Sequence, residues 1–504
     1  MRFDIATGAF FENDKAADRP AIEDGRRVVT WREFESEVFE WVERARRRGV
    51  ARDVPVMIYG HKEAEYLIAM AGCLMMGAPF VPTDVMYPND RIEKIKELCG
   101  APVLYLAAKN DFAEIGAIGA LERKQVAESN LAYIIFTSGS TGEPKGVQIG
   151  RESVTSLVQW IRDDFDLGPA PIFMNQAPFS FDLAMYEVMA TLAFGGCCVL
   201  NSRDALADPE VFLERQRRAR VTTWVSTPSF VFQQFLSRSF NSEYLPTLKT
   251  FLFCGEVLPN SVAGRLRKQF PSSKIINTYG PTEATVATTS IVIDDNALER
   301  FNPLPVGYAK RHSHVFLDPS TGEICIAGDN VMRGYLNGVD LNSAKLFEFN
   351  GMRAFRTGDI GEIDENGLIF CRGRFDDQIK LNGFRIELSE IDNALERIEG
   401  VSRAATIALR RHDESVSRLV AFVVTESKLD DADKMKFLSQ CKSQLADYVP
   451  VYMIPSELFR IEEIPLSMNK KVDRKKLMES YRHNATGLAS ARTMPDRHLA
   501  DGSV

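Results

Sequence analysis

Short apolar runs alternate along this chain with longer stretches in which charged residues interrupt apolar ones every three or four positions. The runs at 53–59, 103–106, 133–136, 197–201, 222–226, 250–254 and 274–278 have the length of strands. Between them, segments such as 32–48 and 208–218 have helical spacing. Strands alternating with helices predict an α/β body of mainly parallel sheets. From 322 to 369 glycine and short strand-like runs become frequent, which predicts a β-rich subdomain closing that body. After Arg374 the pattern changes. A polar joint at Asp376 and Asp377 leads to strand-like 378–386 and helical 387–400. Runs at 404–409 and 418–425, a helix over 430–445 and a strand at 457–461 complete a small α+β unit.

The expected organisation is therefore a large N-terminal core over 1–374, a small mobile α+β domain over 375–480, and a tail over 481–504 with no apolar period. That tail is expected to fray. With 504 residues, 45% of them hydrophobic, the chain is too long for one core. Lys+Arg number 61 against Asp+Glu 69, so no whole-chain attraction to nucleic acid or to a membrane is expected. Any nucleotide must be held by a local site. The N-terminus has no apolar core of a signal peptide, and no apolar run reaches the roughly 18 to 20 residues that span a bilayer. The runs 66–76 and 192–200 read instead as buried helix or strand. Eight scattered cysteines show no CxxC pair and no zinc spacing. Adjacent Cys197 and Cys198 read as core residues, and a reduced cytoplasmic setting is expected.

The segment 133–147 carries the most chemistry. An apolar strand runs into Thr137-Ser138-Gly139-Ser140-Thr141-Gly142, followed by Pro144-Lys145-Gly146. Glycines let a backbone turn sharply and approach a ligand with no Cβ in the way. The hydroxyls and exposed amides can donate to phosphate oxygens, and Lys145 adds a point charge. The spacing is neither a Walker A loop nor the dinucleotide fingerprint. Standing alone, it would read as a flexible surface loop.

This string resembles the phosphate-binding signature of the adenylate-forming superfamily: acyl-CoA synthetases, luciferases and peptide-synthetase adenylation domains. The superfamily's other signatures follow in order. The segment 277–284 (Asn277, Thr278, Tyr279, Gly280, Pro281, Thr282, Glu283, Ala284) is similar to the second. The resemblance implies that Tyr279 stacks on adenine, that Thr282 meets phosphate and that Glu283 contributes to Mg²⁺ binding, for which a hard carboxylate oxygen is suited. Segment 355–359 resembles the motif whose carboxylate, here Asp359, accepts the ribose hydroxyls. Gly373-Arg374 with Asp376 resembles the hinge, with Arg374 also reaching the ribose. Segment 380–387 is similar to a strand-loop whose Gly383 borders the path of a pantetheine arm. Segments 452–455 and 469–474 complete the set. In the last of these Lys470 stands where the family has glycine, and Lys471 aligns with the catalytic lysine. Without that company, Lys470, Lys471, Lys475 and Lys476 would read as a solvated basic helix end. The resemblance implies ATP and Mg²⁺ as cofactors and catalytic roles for Lys471, Thr141 and Glu283. It also implies a C-terminal domain that turns about Asp376 to exchange Lys471 for the face bearing Gly383.

Asp182 interrupts an apolar stretch, and a buried carboxylate is costly unless paired. It reads as a helix N-cap or structural hydrogen bond, or, by the resemblance, as the group that receives a substrate ammonium after Phe181. The finer likeness of 175–183, 251–259, 277–287 and 304–307 is to the D-alanine–carrier-protein ligases. It implies a small amino acid, most closely D-alanine, in a pocket of Phe181, Asp182, Cys254, Gly280, Val286, Val306 and Lys471. It further implies a separate carrier protein with a phosphopantetheine thiol as partner. Cys254 reads equally as a core thiol. One methylene in such a pocket is worth only about 1 to 3 kcal/mol, so L-alanine, glycine, serine and proline stay open as substrates. An acid:CoA ligase of the same superfamily and an inactive scaffold stay open as alternatives.

Overall fold

The computed structural model describes residues 1–11, 16–114, 130–139, 143–411, 415–425, 431–466 and 472–491. Two sheets carry the body, as the alternation of strand and helix predicts. In a seven-stranded sheet, Val56–Gly60 lies parallel to Phe80–Asp84 and Val103–Leu106, and Leu131–Thr137 runs parallel to Phe80–Asp84. In a nine-stranded sheet, Ile172–Asn175, Cys197–Leu200, Thr223–Ser226, Thr250–Phe253 and Lys274–Tyr279 are parallel. These strands are covered on both faces, which explains their unbroken apolar runs. The helices Ala64–Met76 and Ala184–Phe194 are buried along nearly their whole length and have no polar face to offer water. One large core draws side chains from both sheets and from these two helices.

The helix Trp31–Arg47 begins one residue before the period predicts. Thr30 and Glu33 form a reciprocal capping box that satisfies its first amides. The β-rich region is an antiparallel sheet of Ser313–Leu317, Glu323–Gly328, Leu346–Phe349, Met352–Ile363 and Ile369–Arg374. Beyond it, the hairpin Gln378–Leu381 and Phe384–Glu387 leads to a sheet of Val401–Arg410, Val416–Thr425 and Glu457–Arg460. The apolar residues here close on clusters of their own, one running from Ile379 to Met453. The chain differs from expectation at its end. A helix runs over Arg474–Ala491, well past residue 481. Tyr481 anchors its middle, edge-on to Phe459 with ring centroids 5.9 Å apart and accepting from Arg418 at 3.1 Å. All eight cysteines are free, and no helix among the described residues is long and apolar enough to cross a membrane.

The carboxyl ends of Leu131–Thr137, Thr250–Phe253 and Lys274–Tyr279 deliver Ser138, Cys254 and Gly280 to one cavity. Ligands of open α/β sheets bind at such strand ends.

Away from that cavity lies Lys310, only 2% exposed, with Nζ 5.3 Å from the Trp160 ring centroid and no hydrogen-bond partner among the described residues. Burial pulls its pKa down to about 7, opposed by Asp329. A folded-state pKa below the unfolded one penalises the charged form. The penalty is complete below about pH 7 and fades as pH rises toward 10.5. Lys310→Met is therefore expected to raise Tm by several degrees near pH 6, and the gain should shrink toward pH 10. Thermal melts across that range check it, and a gain that grew with pH would contradict it.

Candidate active site

The phosphate loop starts where the fully buried strand Leu131–Thr137 ends. The chain returns as Lys145–Gly150, antiparallel, with Lys145 opposite Thr137. A Cβ on Gly139 would lie 2.0 Å from the Glu143 carbonyl oxygen, so only glycine fits that turn. Thr137 Oγ1 is buried without a hydrogen-bond partner among the described residues. Such an atom, beside a lysine, suits a ligand oxygen. Ser138 Oγ donates to the Arg385 carbonyl at 2.8 Å. Ser140, Thr141 and Gly142 lie outside the described residues.

The second signature lies on the neighbouring sheet. Asn277 donates to the Pro305 carbonyl at 2.8 Å and Thr278 to the Phe253 carbonyl at 2.7 Å, so both support the strand. A Cβ on Gly280 would meet the Ala287 Cα at 2.5 Å. The Tyr279 hydroxyl donates to Asp359 Oδ2 at 2.5 Å, while Arg374 Nη1 holds Asp359 Oδ1 at 2.6 Å. Both oxygens expected to take a diol are thus engaged. Arg374 also grips Asp376 at 2.6 and 2.8 Å, which ties the body to the expected hinge through one guanidinium.

Glu283 has no exposed surface. It accepts from Tyr335 at 2.6 Å and from Arg385 Nη1 at 2.9 and 2.7 Å. Burial alone would raise its pKa, but the Arg385 charge and these hydrogen bonds bring it down to about 2. The carboxylate therefore stays charged, with its cation supplied by the C-terminal unit.

The cavity is lined by Phe181, Asp182, Cys254, Gly280, Val286 and Lys380, among others. Burial raises the Asp182 pKa, while the Thr282 hydroxyl and the charges of Lys380 and Arg385 oppose that rise. An ammonium placed there would keep Asp182 charged. Cys254 is a buried thiol whose pKa burial pushes up, and its Sγ lies 3.7 Å from the Val286 carbonyl oxygen. It packs as an apolar wall. Thr285 and Val286 both have positive φ, at 55° and 70°. Bulky residues pay for that conformation, which is often found where a site must be shaped.

Gly383, with φ +84°, donates its amide to Glu256 at 2.8 Å. A Cβ there would come within 2.5 Å of Thr227 Cγ2. Beside it, Phe384 stacks on Tyr452 with ring centroids 3.8 Å apart and meets Phe181 edge-on at 4.7 Å. The face bearing Gly383 therefore sits against the body. Phe181 turns as much to this face as to the cavity.

Sequence reasoning placed Val306 in the substrate pocket, and the structure does not bring it there. It is not among the residues that line the cavity, although it packs against the core that holds Cys254 and Val286; its amide donates to the Ile369 carbonyl at 2.9 Å and its carbonyl accepts from Thr289 at 2.6 Å. A short apolar segment gives no sign of which way it faces. Lys471 lies outside the described residues. Its neighbour Arg474 binds Asp392 at 2.6 Å within the C-terminal unit. Sequence reasoning missed Lys380, Arg385 and Tyr452, although all three fall inside motifs it had singled out. Glu256 too lies in a segment it had singled out, 251–259, whereas Tyr335 had no local signal.

Residues 11–336 match the model of the AMP-binding enzyme family, and the chain belongs to that family. Among its curated relatives are the D-alanine–D-alanyl carrier protein ligases of Bacillus cytotoxicus, over 451 residues, and Bacillus thuringiensis, over 456 residues. Each is 38% identical, over 84% of this chain and 89% of the relative. In architecture the chain is similar to the Vibrio cholerae adenylation domain AlmE, solved in complex with glycyl-adenosine-5'-phosphate. The TM-score is 0.78 at 20% identity, covering 93% of this chain and 96% of that one.

Gly280→Ala forces backbone apart in the turn that presents Thr282 and Glu283. Overpacking of this kind costs about 1 to 3 kcal/mol. The variant is expected to melt a few degrees lower and to lose most of the thermal shift that AMP gives the parent protein. A full AMP shift in the variant would count against the site.

Proposed function

We propose that this chain is an ATP-dependent ligase that activates a small amino acid, D-alanine first among candidates, and passes the aminoacyl group to the phosphopantetheine thiol of a separate carrier protein. The observation that carries this reading is the buried carboxylate of Asp182 at a small cavity that also takes in Thr137 and Ser138 of the phosphate loop and the wall of Cys254 and Val286. Fatty or aromatic acids bring no ammonium to pair with it. The carrier-ligase relatives support both the amino acid and the partner.

In the first step a substrate carboxylate oxygen attacks the α-phosphorus of ATP. The new O–P bond forms as the α–β phosphoanhydride bond breaks and pyrophosphate leaves. Two anions must meet, so the work is positioning and charge neutralisation. Thr137, Ser138, Ser140, Thr141 and the amides around Gly139 and Gly142 would hold phosphate oxygens, with Lys145 adding charge. Tyr279 would face adenine, and Asp359 with Arg374 would exchange their present bonds for the ribose. Glu283 suits Mg²⁺, because its buried carboxylate is charged and needs a cation once Arg385 withdraws. Bound there with phosphate oxygens, Mg²⁺ would offset phosphate charge. Lys471 would enter between the carboxylate and the α-phosphate.

In the second step the carrier thiol attacks the acyl carbon, the C–S bond forms, and the C–O bond to AMP breaks. The domain of residues 375–480 would have turned about Asp376, replacing Lys471 with the face of Gly383. The docked arrangement of Gly383, Phe384 and Arg385 matches this second step. It also makes Arg385 and Mg²⁺ rivals for Glu283.

Pyrophosphate exchange across D- and L-alanine, glycine, serine, proline and fatty acids tests the reading, with D-alanine expected strongest. Exchange with fatty acids alone would overturn it. Asp182→Asn should lower exchange by about 100-fold or more, since stripping one partner from a buried ion pair costs about 3 to 5 kcal/mol.

The two steps should also separate by mutation. Lys471→Ala is expected to abolish exchange while sparing carrier loading from supplied aminoacyl-adenylate. Gly383→Leu, which collides with Thr227, should do the opposite. Parallel assays of both half-reactions check this, and equal losses in both would refute the division of labour.

A further inference from the structure

Lys62 is a cation sealed inside the body, 3% exposed, with no place in the chemistry described so far. It stands between the strand Val56–Gly60 of the seven-stranded sheet and the helix Ala64–Met76. Its partners belong to the other sheet. Lys62 Nζ donates to the Asn175 side-chain oxygen and to the Ala177 carbonyl, and lies 4.4 Å from the centroid of the Phe179 ring. Asn175 ends the strand Ile172–Asn175, so the lysine grips the chain where it leaves that sheet. Phe179 also packs on Tyr66 of the helix, with ring centroids 4.8 Å apart. Asn175 passes the contact on. Its Nδ2 donates to Glu187 Oε1 at 3.2 Å, and Glu187, with no exposed surface, belongs to the buried helix Ala184–Phe194. Burial lowers the Lys62 pKa and raises that of Glu187, and the charge of each opposes the other's shift.

Between these two holds lies the stretch that carries Asp182. It is a series of local turns, in which the Phe181 amide donates to the Pro178 carbonyl at 3.0 Å and the Met185 amide to the Asp182 carbonyl at 2.8 Å. Such turns fix the curvature of a segment, while its two ends fix where it sits. The downstream end is the helix Ala184–Phe194, and the upstream end is 175–179 in the grip of Lys62. We propose that Lys62 is a positioning residue for the amino acid: by clamping 175–179 and, through Asn175, the helix of Glu187, it sets the depth at which Asp182 meets the substrate ammonium. A charged donor on a carbonyl and an amide oxygen is a stronger tie than a neutral one. Misplacing a positioned group by about 1 Å can cost about 100-fold in rate. Tyr279, Asp359 and Arg374 are held by bonds of their own, so the effect falls on the amino acid and not on the nucleotide. The inference deepens the role given above to Asp182 and rests on the ligase reading.

The test is pyrophosphate exchange by the full chain carrying Lys62→Met, which keeps the length of the side chain and removes its charge. ATP and the amino acid that the parent protein exchanges best are varied separately. The KM for the amino acid is expected to rise at least tenfold while the KM for ATP stays within twofold. Asn175→Ala, which severs the same clamp from its other side, should show the same split. A lysine that served stability alone would lower Tm and leave both KM values where they were. A rise of less than threefold in the amino-acid KM of either folded variant overturns the inference, and so does an equal rise in both KM values. Failure of both variants to fold overturns it too, because Lys62 would then be needed for the fold as a whole. Absence of exchange by the parent protein with every amino acid would instead remove the ligase reading itself.

Discussion

A carboxylate with no surface in water must keep a cation beside it, and Glu283 obtains its cation from another part of the chain. Arg385 spans the seam to reach it, and Tyr335 holds the remaining geometry. Much of the docked arrangement follows from that requirement. The strand Phe384–Glu387 carries Arg385 inward, which sets Gly383 against Thr227 and Glu256 and lays Phe384 between Tyr452 and Phe181. Under the proposed two-step reading, a cation that arrives with a domain can also leave with it, which would free the same carboxylate for a metal at another stage. A fixed arginine on the body would forbid that exchange.

Opposite charges recur along the seam in the same way. Lys145 faces Glu387 and Arg91 faces Glu390, while Arg374 bridges Asp359 on the body to Asp376 at the expected hinge. Apolar contact alone would bind the two units without regard to what occupies the cavity. Ionic contacts inside a poorly solvated seam make the fit depend on charge, because an unpaired ion there is far more costly than an unfilled apolar gap. A ligand that brings or removes charge therefore changes which arrangement is stable.

The substrate cavity is specified by exclusion as much as by attraction. Asp182 supplies a buried carboxylate beside Cys254 and Val286, which leave little room next to it. The positive φ of Thr285 and Val286 shows that the chain accepts backbone strain to bring that wall inward. Small side chains fit such a space, and the modest worth of one methylene explains why related enzymes can differ in the amino acid they take.

The sequence by itself determined the parallel sheets, the order of the signatures and the glycine positions of the phosphate loop. Those features are local: strand runs such as 250–254 and turns such as that at Gly139 depend on residues close together in the chain. It also marked Asp182 as unusual, because an acid inside an apolar run stands out without any knowledge of its neighbours. It could not place Val306, whose backbone pairs with Ile369, or see that the end of the chain continues as a helix anchored through Tyr481 on Phe459. Nor could it find Tyr335 on Glu283, or the pairing of Arg91 with Glu390. Contacts of that kind join residues tens to hundreds of positions apart. Only the packing of one domain on another decides which buried charge meets which partner.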